Sequence, residues 1–96
     1  MQYFHRTQLA PDAVIAAATE FFSARLTPTH ESPRRYAFAG ALGGVTVGVR
    51  AEGGHYTLIT VATDQLAESE LDRLAKRFLG EVHRLADPSH SLRGAY

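Results

Sequence analysis

Two stretches of the sequence repeat apolar residues every three or four positions, the spacing that places them on one face of an α-helix. The first stretch covers residues 11–26. It begins with Pro11 and Asp12, a favourable start because proline presets φ and an acidic side chain suits the positive end of the helix dipole. Its apolar positions are Val14, Ala18, Phe21, Phe22 and Leu26. The pattern predicts an amphipathic helix that packs one face against another layer.

The second stretch lies toward the end of the sequence and has the more regular pattern. We expect Asp64 to cap this helix, and Asp87 with Pro88 to end it. Its polar side carries Asp72 four residues before Lys76, which is the spacing of a helical ion pair. Its apolar side carries Leu71, Leu74, Ala75, Phe78, Val82 and Leu85. A second amphipathic helix is therefore predicted.

Between the two predicted helices the apolar period changes to two, as in a β-strand. Two glycine pairs, Gly43 with Gly44 and Gly53 with Gly54, interrupt the alternation. Such pairs favour two-residue hairpin turns, because glycine adopts the required positive φ without a Cβ clash. Three antiparallel strands are predicted, at residues 34–42, 45–52 and 55–63.

Two-residue turns would also determine which residues of the three strands share a face. Phe38 would lie opposite Val49, and Val47 would lie opposite Thr60. This register gives one richly apolar face for the helices. The second face would carry a flat apolar set made of Ala37, Ala39, Ala41, Gly48, Ile59 and Val61. A one-residue slip or a bulge would exchange the two faces of a strand.

The remaining segments complete the predicted topology. Residues 27–33 contain two prolines and are predicted to form a loop, whereas residues 3–9 alternate and form an optional fourth strand. The predicted fold class is α+β, a two-layer sandwich in which two helices cover one face of a three-stranded antiparallel sheet, in the order (β)-α-β-β-β-α. This order is similar to a shortened helix-grip arrangement. Residues 1–88 are predicted to form a single domain and residues 89–96 a flexible tail.

Composition narrows the functional classes. The 96 residues carry ten basic and ten acidic side chains and no cysteine. The absence of cysteine excludes disulfides, thiol nucleophiles and thiolate metal sites, and makes the cytoplasm the expected compartment. Nucleic acid is disfavoured as a partner, because the chain is neutral and the rings of Tyr36, Phe38 and Tyr56 are predicted to lie in the core. No stretch is long and apolar enough for a membrane span.

One row of polar residues supports an enzymatic alternative. In the predicted register Arg35, Glu52 and His55 lie side by side at one end of the second face, with Arg50 one step inward. A glutamate beside a histidine can orient an imidazole for proton transfer, and arginines can hold an anion. The ordinary alternative is charge pairing between strands on a solvated face. We favour charge pairing, because a catalytic site also needs a pocket.

Two further kinds of site need consideration. A small apolar ligand between the sheet and the last helix would meet the polar groups of Tyr36, Tyr56 and Thr60. His83, Asp87 and His90 form the closest group of metal-ligand residue types. They lack the spacing of a known metal motif, and a histidine at a helix C-terminus is favourable for its interaction with the dipole alone. We predict neither a metal site nor a cofactor.

The second sheet face indicates a function. Two helices on one side of a sheet leave the other side uncovered, and contiguous apolar patches on monomers often mark interaction sites. Small side chains let two sheets approach closely, and symmetric homodimers are the commonest oligomers. We therefore predict a cytoplasmic, non-catalytic interaction or small-ligand-binding module that forms a homodimer through this face or through a sheet edge. A different protein partner and the small enzyme remain alternatives.

Overall fold

The computed structural model describes residues 1–87 and contains both predicted helices beside a five-stranded antiparallel sheet. The fold class is therefore α+β, as predicted. The elements are β1 (Gln2–Thr7), α1 (Pro11–Ser23), β2 (Thr27–Ser32), β3 (Arg35–Gly40), β4 (Gly43–Glu52), β5 (Tyr56–Thr63) and α2 (Glu70–Ala86). The strand order across the sheet is β1-β5-β4-β3-β2, so α1 connects the two edge strands. The tail predicted at residues 89–96 lies outside the described residues.

The two helices pack on the same face of the sheet. α1 contacts β3 and β4, α2 contacts β1 and β5, and the helices contact each other. The largest fully buried apolar side chains lie between these layers and include Phe22, Phe38, Phe78, Ile59 and Leu71. Removing such side chains from water is the dominant favourable term in folding, so this core holds helices and sheet together.

Strand β1 confirms the optional strand at the start of the chain. It pairs antiparallel with β5. The alternation is as predicted: Tyr3, His5 and Thr7 are the more buried residues on the helix side, and Phe4 faces away.

The loop predicted at residues 27–33 is wrong, because most of it forms edge strand β2. This strand pairs with β3 and has a bulge between Pro28 and His30. Its residues are polar and almost all exposed, so the strand shows no hydrophobic alternation in the sequence. A proline is compatible with an edge strand, where no neighbouring strand needs its missing N–H.

The helix ends differ from the predictions. α1 ends at Ser23, yet Leu26 remains in the core because its N–H bonds back to the carbonyl of Phe22. The predicted cap of α2 is wrong: Ser69, not Asp64, precedes the first turn and accepts a hydrogen bond from the helix backbone. The apolar stripe of α2 is buried except at Leu85, which is 50% exposed.

The turn between β3 and β4 lies two residues earlier than predicted. Gly40 pairs with Gly43, so Ala41 and Leu42 form the turn. Gly43 has a φ of 121°, and a Cβ at this position would lie 2.6 Å from both Asp64 Oδ1 and Gln65 Nε2. The glycine is therefore needed for close approach of the loop before α2. Phe38 consequently lies opposite Val45 instead of Val49, an even shift that leaves the faces of both strands unchanged.

The turn between β4 and β5 changes the face assignment of β5. Glu52 pairs with Tyr56, so the loop has three residues, and its last two, Gly54 and His55, both have positive φ. Val47 therefore lies opposite Val61 instead of Thr60, an odd slip that exchanges the faces of the strand. Ile59 and Val61 are fully buried in the core, which corrects their predicted place on the second face.

Candidate functional site

We call the sheet face turned away from the helices the open face. Its members follow from the registers, because residues directly opposite each other in antiparallel strands lie on the same face. They are Gln2, Phe4, Arg6, Tyr56, Leu58, Thr60, Ala62, Gly44, Thr46, Gly48, Arg50, Glu52, Arg35, Ala37, Ala39, Thr27, His30 and Ser32. Two aromatic rings are in solvent on this face, since Phe4 is 62% and Tyr56 is 42% exposed.

Three of the six residues predicted to form the apolar face do lie on the open face: Ala37, Ala39 and Gly48. Ala41 lies in the turn, and Ile59 and Val61 lie in the core. Phe4 and Leu58, which the sequence analysis did not include, supply larger apolar side chains. Phe4 alternates with Tyr3 and His5 along β1, so the two-residue period of a strand places its side chain on the other face of the sheet. This period is the feature of the sequence from which its position could be predicted.

A depression of about 300 Å³ lies on the open face over Gly48. Its lining residues are Phe4, Arg34, Gly48, Val49, Arg50, Leu58 and Thr60. A Cβ placed on Gly48 would meet no atom within 4 Å. No neighbouring group occupies the space beside this glycine. The depression therefore combines an apolar floor with basic groups at its rim.

The open face is basic, although the whole chain is neutral. In the described strands it carries Arg6, Arg35 and Arg50 but only one acidic residue, Glu52, which gives three positive charges against one negative charge. Glu52 joins two of these arginines: Arg6 Nε is 2.8 Å from one carboxylate oxygen, and Arg50 Nη2 is 3.4 Å from the other. The hydrogen bond from Arg6 lowers the pKa of Glu52, so the carboxylate stays ionised at neutral pH.

The enzymatic row is not assembled as predicted. Arg35 lies opposite Gly48, four residues along β4 from Glu52. His55 is in the β4–β5 turn with a φ of 67°, beyond the end of β4. Glu52 is engaged by two arginines, and its lowered pKa makes it a poor proton acceptor at neutral pH. The observed contacts are ion pairs: Arg6 pairs with Glu52 from β1, and Arg50 pairs with Glu52 within β4.

The three predicted ligand residues do not surround one cavity. Tyr36 faces the helix side and lines a cavity of about 500 Å³ beside α1, together with Asp12 and Glu31. Tyr56 and Thr60 lie on the opposite face, because of the register of β5. The space between the sheet and α2 is filled by the core described above.

The predicted histidine cluster is only partly described. His90 lies outside the described residues, and the backbone N–H of Asp87 bonds to the carbonyl of His83 as part of the helix end. His83 instead approaches His5 of β1, with ring centroids 6.2 Å apart. Burial, and then the neighbouring His83, lower the pKa of His5. Within residues 1–87 no group of three or more ligand-type side chains is arranged to hold a metal ion.

A buried carboxylate, Asp72, joins α2 to β1 and β5. Its Oδ1 accepts hydrogen bonds from the Tyr3 hydroxyl at 3.0 Å and from Thr63 Oγ1 at 2.8 Å. Its Oδ2 accepts from the backbone N–H and the side-chain hydroxyl of Ser69, at 2.9 and 2.8 Å. The ion pair predicted between Asp72 and Lys76 is therefore wrong, and Lys76 pairs with Glu68. The bonds from Tyr3 and Thr63 therefore join α2 to two strands, and those from Ser69 close the capping box at the start of α2.

The titration of Asp72 gives a testable pH dependence. Burial alone would raise its pKa, but the hydrogen bonds from Thr63, Ser69 and Tyr3 lower it to about 2, from an ordinary 3.8. Because the folded-state pKa is the lower one, its contribution is complete above about pH 4 and is lost as the pH falls to about 2. We expect wild type to lose about 2 kcal/mol more than Asp72→Asn between pH 5 and pH 2 in denaturant unfolding. Parallel curves for the two proteins would contradict this.

No protein-family model matches the sequence. A comparison with curated proteins also gives no significant match, so these two comparisons assign no functional residue to this chain. Within residues 1–87 neither helix has the length and apolar character needed to cross a bilayer. The candidate sites are therefore defined by geometry alone: the open face, and the edge of β1 beside α2.

Proposed function

We propose that the protein is a non-catalytic interaction module that forms a homodimer through the outer edge of β1. The observation that supports this is an unpaired strand edge with an apolar groove beside it. Among the described residues β5 is the only strand paired with β1, which leaves the other side of β1 open. An exposed strand edge is a template for pairing with another chain.

The backbone groups available at this edge can be identified. Met1 and Thr63 form a hydrogen-bonded pair, since the N–H of Thr63 donates to the carbonyl of Met1 at 2.9 Å. Backbone groups alternate in direction along a strand, so those of Gln2, Phe4 and Arg6 point away from β5. A second β1 strand placed antiparallel to the first would satisfy them. The resulting dimer would have two-fold symmetry and a continuous ten-stranded sheet, twice the five strands of one chain.

A groove of about 260 Å³ lies between this edge and α2. It is lined by Phe4, His5, Lys76, Leu79 and Gly80. The lack of a side chain at Gly80 would let a symmetry-related helix approach closely, and Leu79 would supply apolar contact. The strand edge and the groove thus form one continuous surface that a second copy can cover.

The other routes to self-association have less support. Strand β2, at the opposite edge, has Pro28 and a bulge, which are features that block edge pairing. The open face carries Arg6, Arg35 and Arg50 against a single glutamate, so two open faces brought together would repel each other. Both observations favour the β1 edge.

Light scattering over a concentration series tests the proposal. The wild-type mass should approach twice 10.5 kDa as the concentration rises. Gly80→Arg should weaken the dimer by about tenfold or more, because the two-fold axis would bring two like charges together. Leu66→Arg is the matched control: Leu66 is fully exposed in the loop before α2, so the same charge there should leave the mass unchanged.

A second pair of variants tests the strand edge itself. Phe4→Pro removes an outward N–H without breaking a bond to β5, whereas Phe4→Ala removes the ring and keeps the N–H. We expect a larger loss of dimer in the proline variant. A wild-type mass of one chain up to millimolar concentration would reject the proposal, as would dimers unaffected by both Gly80→Arg and Phe4→Pro.

A further inference from the structure

We propose that the open face binds single-stranded nucleic acid, with bases stacked on Phe4 and Tyr56 and phosphates held by arginines. The surface is complete within one chain and does not depend on the β1 edge. The sequence disfavours nucleic acid as a partner, because the predicted register buries the ring of Tyr56 and the chain is neutral. The register of β5 exposes that ring, and the charge is unevenly distributed between the faces.

The rings are spaced for separate bases. Phe4 lies opposite Thr60, and Tyr56 lies four residues along β5 from Thr60. At the rise of a β-strand this separates the two positions by about 13 Å along the strand. Exposed aromatic side chains on an antiparallel sheet can stack successive bases of a single strand, because every base has an aromatic face.

The depression beside Phe4 supports the same ligand. The depression over Gly48 lies beside Phe4 and Leu58, and its volume of about 300 Å³ can admit a small planar group. Thr60 supplies a hydroxyl at the wall of the depression. A base unstacked from its neighbours could enter here, with its edge against Thr60 and its face over the glycine.

The arginines supply the anion contacts. Arg35 lies directly opposite Gly48, and its guanidinium makes no ion pair with any described residue. Arg50 shares Glu52 with Arg6, and its 3.4 Å contact is the longer of the two. An arginine fork suits a phosphate because it can donate two hydrogen bonds at once.

An acidic protein segment would also be attracted to these charges, but it would leave two features unused. Phe4 is 62% exposed and Tyr56 42% exposed, and acidic side chains have no aromatic face to stack on these rings. The depression over Gly48 would also stay empty. The combination of rings, depression and arginines therefore favours nucleic acid.

Fluorescence anisotropy with a labelled oligouridine of about twelve nucleotides tests the inference, since this length is within the site sizes of known single-strand-binding folds. We expect binding at low salt with a dissociation constant on the order of 10 µM. Three arginine contacts predict that the logarithm of affinity falls with the logarithm of salt concentration at a slope of about −2. An unlabelled oligothymidine should compete, and polyglutamate should not.

Variants remote from the β1 edge separate this inference from the dimer. Tyr56→Ala should weaken binding about tenfold by removing a stacking ring. Gly48→Glu should abolish it, because the new side chain enters open space, fills the depression and adds a negative charge. Arg35→Gln should weaken binding, whereas Arg73→Gln, which removes an exposed arginine on α2, is the matched control and should have no effect.

The outcomes are distinct. No binding of either oligonucleotide at low salt would reject the inference, whatever the mass of the protein. Equal losses for Arg35→Gln and Arg73→Gln, with none for Tyr56→Ala, would mean attraction by overall charge and would also reject it. Competition by polyglutamate as strong as by oligothymidine would indicate an acidic protein partner instead. The mass of each variant, measured in parallel, shows whether the dimer has changed.

Discussion

Asp72→Ala should lower the free energy of unfolding by about 3 to 5 kcal/mol, the cost expected when one partner of a buried charged network is removed. Asp72 is fully buried and accepts hydrogen bonds from Tyr3, Thr63 and Ser69. Alanine would leave the four donor groups of these three residues without their acceptor and would also remove half of the capping box of α2. Because small domains are stable by only about 5 to 15 kcal/mol, much of the total stability depends on this residue.

Two variants identify the source of the loss. Tyr3→Phe removes a single hydrogen bond from a half-buried residue and should cost about 1 to 2 kcal/mol. Asp12→Ala is the matched control, since Asp12 is exposed, lies in the first turn of α1 and, among residues 1–87, forms an ion pair only with Arg34, at 3.1 Å. It should change stability by less than about 1 kcal/mol. Urea unfolding measures all three, and a similar small loss for Asp72→Ala and Asp12→Ala would contradict the assigned role.

The elements with strong hydrophobic periodicity were predictable from the sequence. Both helices and strands β3, β4 and β5 bury one side against a single core, so their apolar residues recur at the helical or strand period in the sequence. Strand β2 was not predictable in this way. It lies at an edge and has almost no buried residue, so pairing with β3, and not burial, makes it a strand.

The register errors arise at the two hairpin turns. Glycine pairs favour a two-residue turn, and the sequence contains two of them. Gly43 is instead required for close approach of Asp64, a contact between residues far apart in the chain. The second pair lies in a three-residue loop in which His55 adopts a positive φ, a conformation in which histidine is enriched over most residues. Neither feature can be deduced from alternation alone.

The register errors change the predicted site more than they change the predicted fold. The even shift at the first turn left Ala37, Ala39 and Gly48 on the face predicted for them. The odd slip at the second turn moved Ile59 and Val61 into the core and Tyr56 into solvent. One extra residue in the β4–β5 turn therefore accounts for the difference between the predicted apolar second face and the observed basic, aromatic one. The slip exchanges the residues of β5 between the two faces and leaves the fold class unchanged, so the candidate site is more sensitive to register than the fold class is.

The buried position of Asp72 was also not predicted from the sequence, for a different reason. Its spacing from Lys76 matched a surface ion pair, and aspartate is seldom buried. The signal that was available is the capping box, in which Ser69 precedes an acidic residue three positions later. Its hydrogen bonds from β1 and β5 depend on the tertiary fold and have no local signature.

Phe22→Ala should be as destabilising as the loss of Asp72, again by about 3 to 5 kcal/mol, through the cavity that it leaves. The Phe22 ring of α1 is fully buried. Its centroid lies 5.3 Å from that of Phe38 in β3 and 5.2 Å from that of Phe78 in α2. One side chain thus connects both helices to the sheet, and no neighbour can move to fill the space without leaving its own contacts.

The matched control is Phe4→Ala, the same substitution on the opposite side of the sheet. Phe4 is 62% exposed and leaves little or no cavity, so its loss should cost less than about 1 kcal/mol. The difference between the two midpoints of urea unfolding measures how strongly the helices are held to one face. If Phe4→Ala were the more costly variant, the open face would already be covered by something that protects the ring. If Phe22→Ala loses more stability, both helices pack on the other face of the sheet, and Phe4 is available for a ligand or a second chain.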